Sequence, residues 1–81
     1  MTWQTYLVLY FKAGNSKVSE IVKKVEELGF ESALGPVDLK YKWENEPTTE
    51  QVLKLADKIS ESLKGTEVMF NIDTQKVPST E

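Results

Sequence analysis

Cysteine, histidine and arginine are all absent from this sequence of 81 residues. Without cysteine there can be no disulfide, thiolate metal site or thiol nucleophile. Without histidine the chain lacks the commonest general base and the commonest metal ligand at neutral pH. All ten basic residues are lysine, which binds phosphate or carboxylate as a point charge and not through a bidentate fork. We therefore predict a protein that has no catalytic activity and no cofactor.

Long apolar runs and a strong charge imbalance are missing as well. The longest apolar run, residues 6–11, is too short for a membrane span or a signal peptide, so we expect a cytoplasmic protein without a membrane partner. A net charge of −3 gives no general attraction to nucleic acid. At this length we predict one domain, residues 1–75, followed by a flexible tail, residues 76–81.

Hydrophobic periodicity predicts four strands and two helices. The strands are expected at residues 3–12, 30–34, 37–43 and 67–74. The first helix follows a break at residues 13–16 and ends at Gly29, and the second ends at Gly65, since glycine suits a helix C-terminus. Thr48 and Gln51 have the spacing of a capping box at the start of the second helix.

The order strand, helix, strand, strand, helix, strand is typical of the ferredoxin-like α+β fold. It predicts an antiparallel sheet in the order 4-1-3-2 with both helices on one face. The side chains expected to face the helices are Leu7, Leu9, Phe11, Phe30, Ser32, Leu34, Val37, Leu39, Tyr41, Trp43, Val68, Phe70 and Ile72. Trp3 is expected beside Trp43 at one end of the sheet.

Two segments, SKVSEIVKKVEELGFESALGP and EVMFNID, resemble small archaeal ferredoxin-like proteins of unassigned function. Leu34-Gly35-Pro36 and Ile72-Asp73 are more distantly similar to small thiamine-binding domains of the same fold, which assemble through their sheets. These resemblances imply a fold and a tendency to oligomerise. They also imply an alternative function, the binding of a thiamine-like metabolite.

The main candidate site is the sheet face that the helices leave open. It is expected to carry Tyr6, Val8, Tyr10, Lys40, Lys42, Met69 and Asn71. An apolar patch with charged margins is the composition of a surface that a partner covers. We therefore predict a homodimer formed through this face, and pairing along the unprotected edge of the last strand is a second route to it.

Two other interpretations of this face stay open at this point. One is an open sheet face without any partner. The other is weak binding of single-stranded RNA, because tyrosines beside lysines can stack unpaired bases. The absence of arginine, the negative net charge and the lack of the usual third-strand motif all disfavour RNA.

Two weaker candidates have ordinary structural explanations. Backbone amides at Gly14, Asn15 and Ser16 could hold an anion at a helix start, but these residue types usually end a strand and cap a helix. The acidic residues near the second helix, Glu44, Glu46 and Glu50, lack the ligand run and turn glycine of a calcium loop. Solvated charge explains them better, and no metal is predicted.

Overall fold

The protein is described here by a computed structural model of residues 2–12, 18–35 and 38–78. The elements are β1 (Thr2–Tyr10), α1 (Val18–Glu26), β2 (Glu31–Gly35), β3 (Asp38–Trp43), α2 (Thr49–Ser62) and β4 (Met69–Val77). This is an α+β arrangement in which the type and order of the elements are as the sequence predicted.

The four strands form one antiparallel sheet in the order β2-β3-β1-β4, which reads β4-β1-β3-β2 from the opposite edge. Strand β1 is central and pairs with β3 on one side and β4 on the other. Trp3 lies opposite Trp43, as expected for the end of the sheet. Because side chains alternate along a strand, the odd-numbered residues of β1 face the helices and the even-numbered residues face the open side.

The core lies between the two helices and one face of the sheet. Its buried apolar residues are Leu7, Leu9, Ile21, Val25, Phe30, Leu39, Leu55, Ile59 and Leu63. Around them pack the partly buried residues Phe11, Val22, Leu28, Tyr41, Trp43, Val68, Phe70 and Ile72. Both helices therefore cover the same face, because each contributes side chains to this one cluster.

Some residues expected to point inward do so only in part. Val18 is 40% exposed, since it is the first residue of α1 and lies a turn away from the buried Ile21. Ser32 lies opposite Leu39 on the helix side but is exposed on an edge strand. The side chain of Leu34, and the whole of residues 36–37, lie outside the described residues.

The last strand differs from the prediction at both ends, since it was expected at residues 67–74. It begins at Met69 because the chain first turns at Glu67, whose φ is 60°, and the Val68 N–H donates to the Thr66 hydroxyl at 3.3 Å. It continues to Val77, which pairs with Thr2. The predicted start of a flexible tail at residue 76 is thus wrong for Lys76 and Val77, and residues 79–81 lie outside the described part.

The predicted capping box at the start of α2 is confirmed. The Thr48 hydroxyl accepts from the Gln51 N–H at 3.1 Å, and the Gln51 side-chain oxygen accepts from the Thr48 N–H at 2.9 Å. Gly29 and Gly65, the predicted helix ends, both have positive φ, 110° and 83°. The expected cap of α1, at Asn15 or Ser16, lies outside the described residues.

Gly29 offers a direct test of this packing. A Cβ atom added there would lie 3.0 Å from Cε2 of Tyr41 and would also need a positive φ. We expect Gly29→Ala to lower the free energy of unfolding by about 2 kcal/mol, through backbone strain and displacement of the Tyr41 ring. A Cβ atom added at Gly65 would have no described atom within 4 Å, so Gly65→Ala is expected to cost about 1 kcal/mol from strain alone. Urea unfolding measures both changes.

Gly35→Ala is the matched control. Its φ lies outside the left-handed region, and among the described residues a Cβ atom there would meet only the Asp38 carboxylate, at 4.0 Å. We expect no loss of stability for this variant. Equal losses for Gly29→Ala and Gly35→Ala would contradict the close approach of Tyr41 to Gly29.

Candidate functional site

The seven residues of the predicted patch lie together on the open face of the sheet. Tyr6 pairs with Lys40 on one side and Asp73 on the other. The remaining members follow the same register: Val8 lies opposite Asn71, Tyr10 opposite Met69, and Lys42 opposite Gln4. The even-numbered positions of β1 thus form the middle of this surface, which we call the open face.

The apolar part of the open face runs along β1. Tyr10 and Met69 are 54% and 68% exposed, whereas Tyr6 and Val8 are half-buried by their neighbours on the adjoining strands. Tyr10 and Met69 lie side by side, and together with Tyr6 and Val8 they form an apolar strip. An exposed apolar strip of this kind often marks a contact with a partner.

Charge on the open face is divided between its two sides. Lys42, on the β3 side, forms an ion pair with Glu31 at 3.7 Å, with both side chains more than half exposed, so the pair contributes little to stability. Lys40 forms no ion pair with any described carboxylate. On the β4 side, Asp73 accepts a hydrogen bond from the Gln75 side chain. The β3 side of the face therefore carries Lys40 and Lys42 together with Asp38, and the β4 side carries Asp73.

The opposite face contains a polar group that the sequence reasoning missed. Thr5 is fully buried, and its hydroxyl accepts a hydrogen bond from the Trp43 indole N–H at 2.8 Å. The same hydroxyl is 2.7 Å from that of Thr74, so one of the two donates to the other. These bonds join β3, β1 and β4. Thr5 lies at an odd-numbered position of β1, as the buried Leu7 and Leu9 do. This alternation could have identified Thr5 as a buried residue.

A cleft opens between the end of β3 and α2, and we call it the β3–α2 cleft. Its wider part, about 420 Å³, is lined by Tyr41, Lys42, Trp43, Glu44, Asn45, Glu46 and Gln51. Its narrower part, about 180 Å³, is lined by Tyr41, Trp43, Gln51, Lys54, Leu55 and Lys58. The two parts share Tyr41, Trp43 and Gln51, so they lie next to each other against the same aromatic side chains.

The other predicted candidates are not assembled into a site. Gly14, Asn15 and Ser16, the weak anion site, lie outside the described residues. Glu44 and Glu46 line the wider part of the cleft, but within residues 2–12, 18–35 and 38–78 no three acidic side chains come close enough to hold a metal ion. Neither described helix is long and apolar enough to cross a membrane.

Comparisons with known proteins identify the fold and no more. No family model matches this sequence, and no curated protein matches it. Among solved structures, the hypothetical protein MJ1052 from Methanocaldococcus jannascii is similar, with a TM-score of 0.61 and 14% sequence identity. The match covers 99% of this chain and 84% of that one. The expected likeness to an archaeal protein is thus found at the level of structure.

The buried hydroxyl of Thr5 generates a second prediction. We expect Thr5→Val to lower the free energy of unfolding by about 1 to 3 kcal/mol, because the Trp43 N–H and the Thr74 hydroxyl both lose their partner. The fluorescence of Trp43, measured in a Trp3→Phe background, is expected to shift at the same time. Urea unfolding monitored by that fluorescence measures both effects.

Thr2→Val is the control, because it removes the same hydroxyl from an exposed site on the same strand. Thr2 donates only a 3.4 Å bond to the Val77 carbonyl, so little loss is expected there. Similar losses for the two valine variants would show that the Thr5 hydroxyl has no special role.

Proposed function

We propose that this protein is a non-catalytic ferredoxin-like interaction module that forms a homodimer through its open face. The observation that supports this most is the apolar strip of Tyr6, Val8, Tyr10 and Met69 on the side without helices. A domain of this size buries only about 60% of its unfolded surface, so covering a further apolar face would stabilise it.

The arrangement of charge favours a second copy of the same chain as the partner. Lys40 and Asp73 both pair with Tyr6, so they lie at one level on opposite sides of β1. Consider two copies related by a two-fold axis that runs parallel to β1 and lies above the open face. This symmetry places β3 of one copy over β4 of the other. Lys40 of each copy would then face Asp73 of the other, which gives two equivalent ion pairs.

The dimensions of packed sheets suit these pairs. Two sheets that pack face to face lie about 10 Å apart, with their strands inclined by about 30°. A long lysine side chain on one sheet and a short aspartate on the other can span such a gap, with Tyr6 and Val8 filling the centre. The Lys40 and Asp73 side chains, at the margin of the contact, would stay partly in water. They would therefore fix the relative orientation of the two copies more than they would raise the affinity.

The same surface argues against RNA as the partner. Asp38 and Asp73 flank the β1 residues Val8 and Tyr6 directly, so carboxylates would lie beside any phosphate that approached the tyrosines. Pairing along β4 is the remaining route to a dimer, because this nine-residue strand lies at the sheet edge. Edge pairing does not place Lys40 at the contact, and this difference separates the two dimers experimentally.

Reversal of charge at Lys40 tests the face-to-face dimer. We expect Lys40→Glu to weaken dimerisation at least tenfold, about 1.4 kcal/mol, because it creates two contacts between like charges. Adding Asp73→Lys is expected to restore dimerisation, since each ion pair returns with its signs exchanged. Sedimentation velocity over a range of protein concentrations measures the dissociation constants.

Lys23→Glu on α1 is the control, because it makes the same charge change at an exposed site away from the open face. It is expected to leave dimerisation unchanged. A wild-type protein that stays monomeric at high concentration would contradict the proposal. A dimer that is insensitive to Lys40→Glu would instead indicate edge pairing.

A further inference from the structure

The β3–α2 cleft lies on the helix side of the sheet, and the proposed dimer leaves it uncovered. Its aromatic wall is held in place from behind. The Trp43 indole N–H is bonded to the buried Thr5 hydroxyl, and the Trp43 ring lies 4.8 Å from that of Tyr41. The Tyr41 ring in turn packs on Phe30 at 5.4 Å and on Gly29. A flat aromatic ligand would therefore meet a surface that needs no rearrangement.

The polar group shared by both parts of the cleft is held in place as well. The side-chain oxygen of Gln51 is occupied by the Thr48 N–H of the capping box. This bond fixes the orientation of the amide, so its nitrogen is left to donate to a ligand. The capping box at the start of α2 thus leaves a hydrogen-bond donor, the Gln51 side-chain nitrogen, beside the aromatic wall.

The narrower part of the cleft is positively charged. Lys54 and Lys58 lie one turn apart on the same face of α2, and both line this part. Neither forms an ion pair with a described carboxylate. Two lysines at this spacing repel one another, and a bound dianion would relieve that repulsion.

The wider part of the cleft has the opposite charge. Glu44 and Glu46 line it together with Lys42, which is already paired with Glu31, so an anionic group would be repelled there and a hydrogen-bond donor would be attracted. Its volume of about 420 Å³ lies in the range of small-molecule sites, about 300 to 1,000 Å³. The cleft therefore suits a ligand with an anion at one end and a flat ring bearing a donor at the other.

We propose that the β3–α2 cleft binds a small phosphate ester of a planar heterocycle, such as a nucleoside monophosphate. The ring lies against Trp43, the phosphate lies between Lys54 and Lys58, and Gln51 donates to the ligand between them. Exocyclic amino groups of the ring point toward Glu44 and Glu46. This site is independent of the dimer proposed above.

Titration of the Trp3→Phe variant with adenosine monophosphate tests this assignment, because Trp43 is then the sole tryptophan. We expect a saturable change in its fluorescence with a dissociation constant of about 1 mM or lower. Adenosine lacks the phosphate and ribose 5-phosphate lacks the ring, so each is expected to bind at least tenfold more weakly. No saturable change with adenosine monophosphate, or equal binding of adenosine, would overturn the proposal.

Two variants in the same background locate the site. Gln51→Glu keeps the capping box, since a glutamate at this position also accepts from the Thr48 N–H, but it places a carboxylate in the cleft. Its unfolding midpoint is expected to stay unchanged while its affinity for adenosine monophosphate falls at least tenfold. The Lys54→Gln/Lys58→Gln double variant is expected to lose affinity to a similar degree.

The Lys23→Gln/Lys24→Gln variant is the control, because it removes the same charge from the exposed face of α1. It is expected to bind adenosine monophosphate as the parent does. Equal affinities for the two double variants would overturn the proposal, as would ligand-induced amide shifts confined to the open face. The Lys40→Glu variant is expected to keep its affinity, so failure of the dimer and failure of this site can be distinguished.

Discussion

Hydrogen bonding along both edges of β1 determines how the core and the open face are arranged. Pairing with β3 and β4 fixes which side chains of β1 point to each face. Thr5, Leu7 and Leu9 are thereby buried under the helices, and Tyr6 and Val8 are left on the open side. A slip of one residue would exchange the two sets, so the core and the open face are consequences of a single register.

Much of the fold could be predicted because its signals are local. Alternation identified the strands, the Thr48–Gln51 spacing identified the start of α2, and glycine identified the helix ends. The extension of β4 to Val77 could not be predicted from local signals, because Lys76 and Val77 pair with residues at the other end of the chain. Local polarity gave no indication of that partner.

The two candidate surfaces differ in how far the sequence predicts them. The open face followed from strand parity alone, and the seven residues predicted for it do lie there. The β3–α2 cleft depends on how α2 packs across the end of β3, and sequence spacing does not determine that distance. Trp43 connects the cleft to the sheet through its bond to Thr5, a contact between residues 38 positions apart. The parity of Thr5 indicated that it is buried, but not that it contacts Trp43.

In the proposed dimer, two copies of this chain meet through their open faces. Isotope-filtered nuclear Overhauser spectroscopy on a mixture of labelled and unlabelled protein tests it most directly, because it detects only contacts between copies. We expect such contacts at Tyr6 and Val8, with further contacts between the side chains of Lys40 and Asp73. Contacts confined to the outer edge of β4, or to the helices, would contradict it.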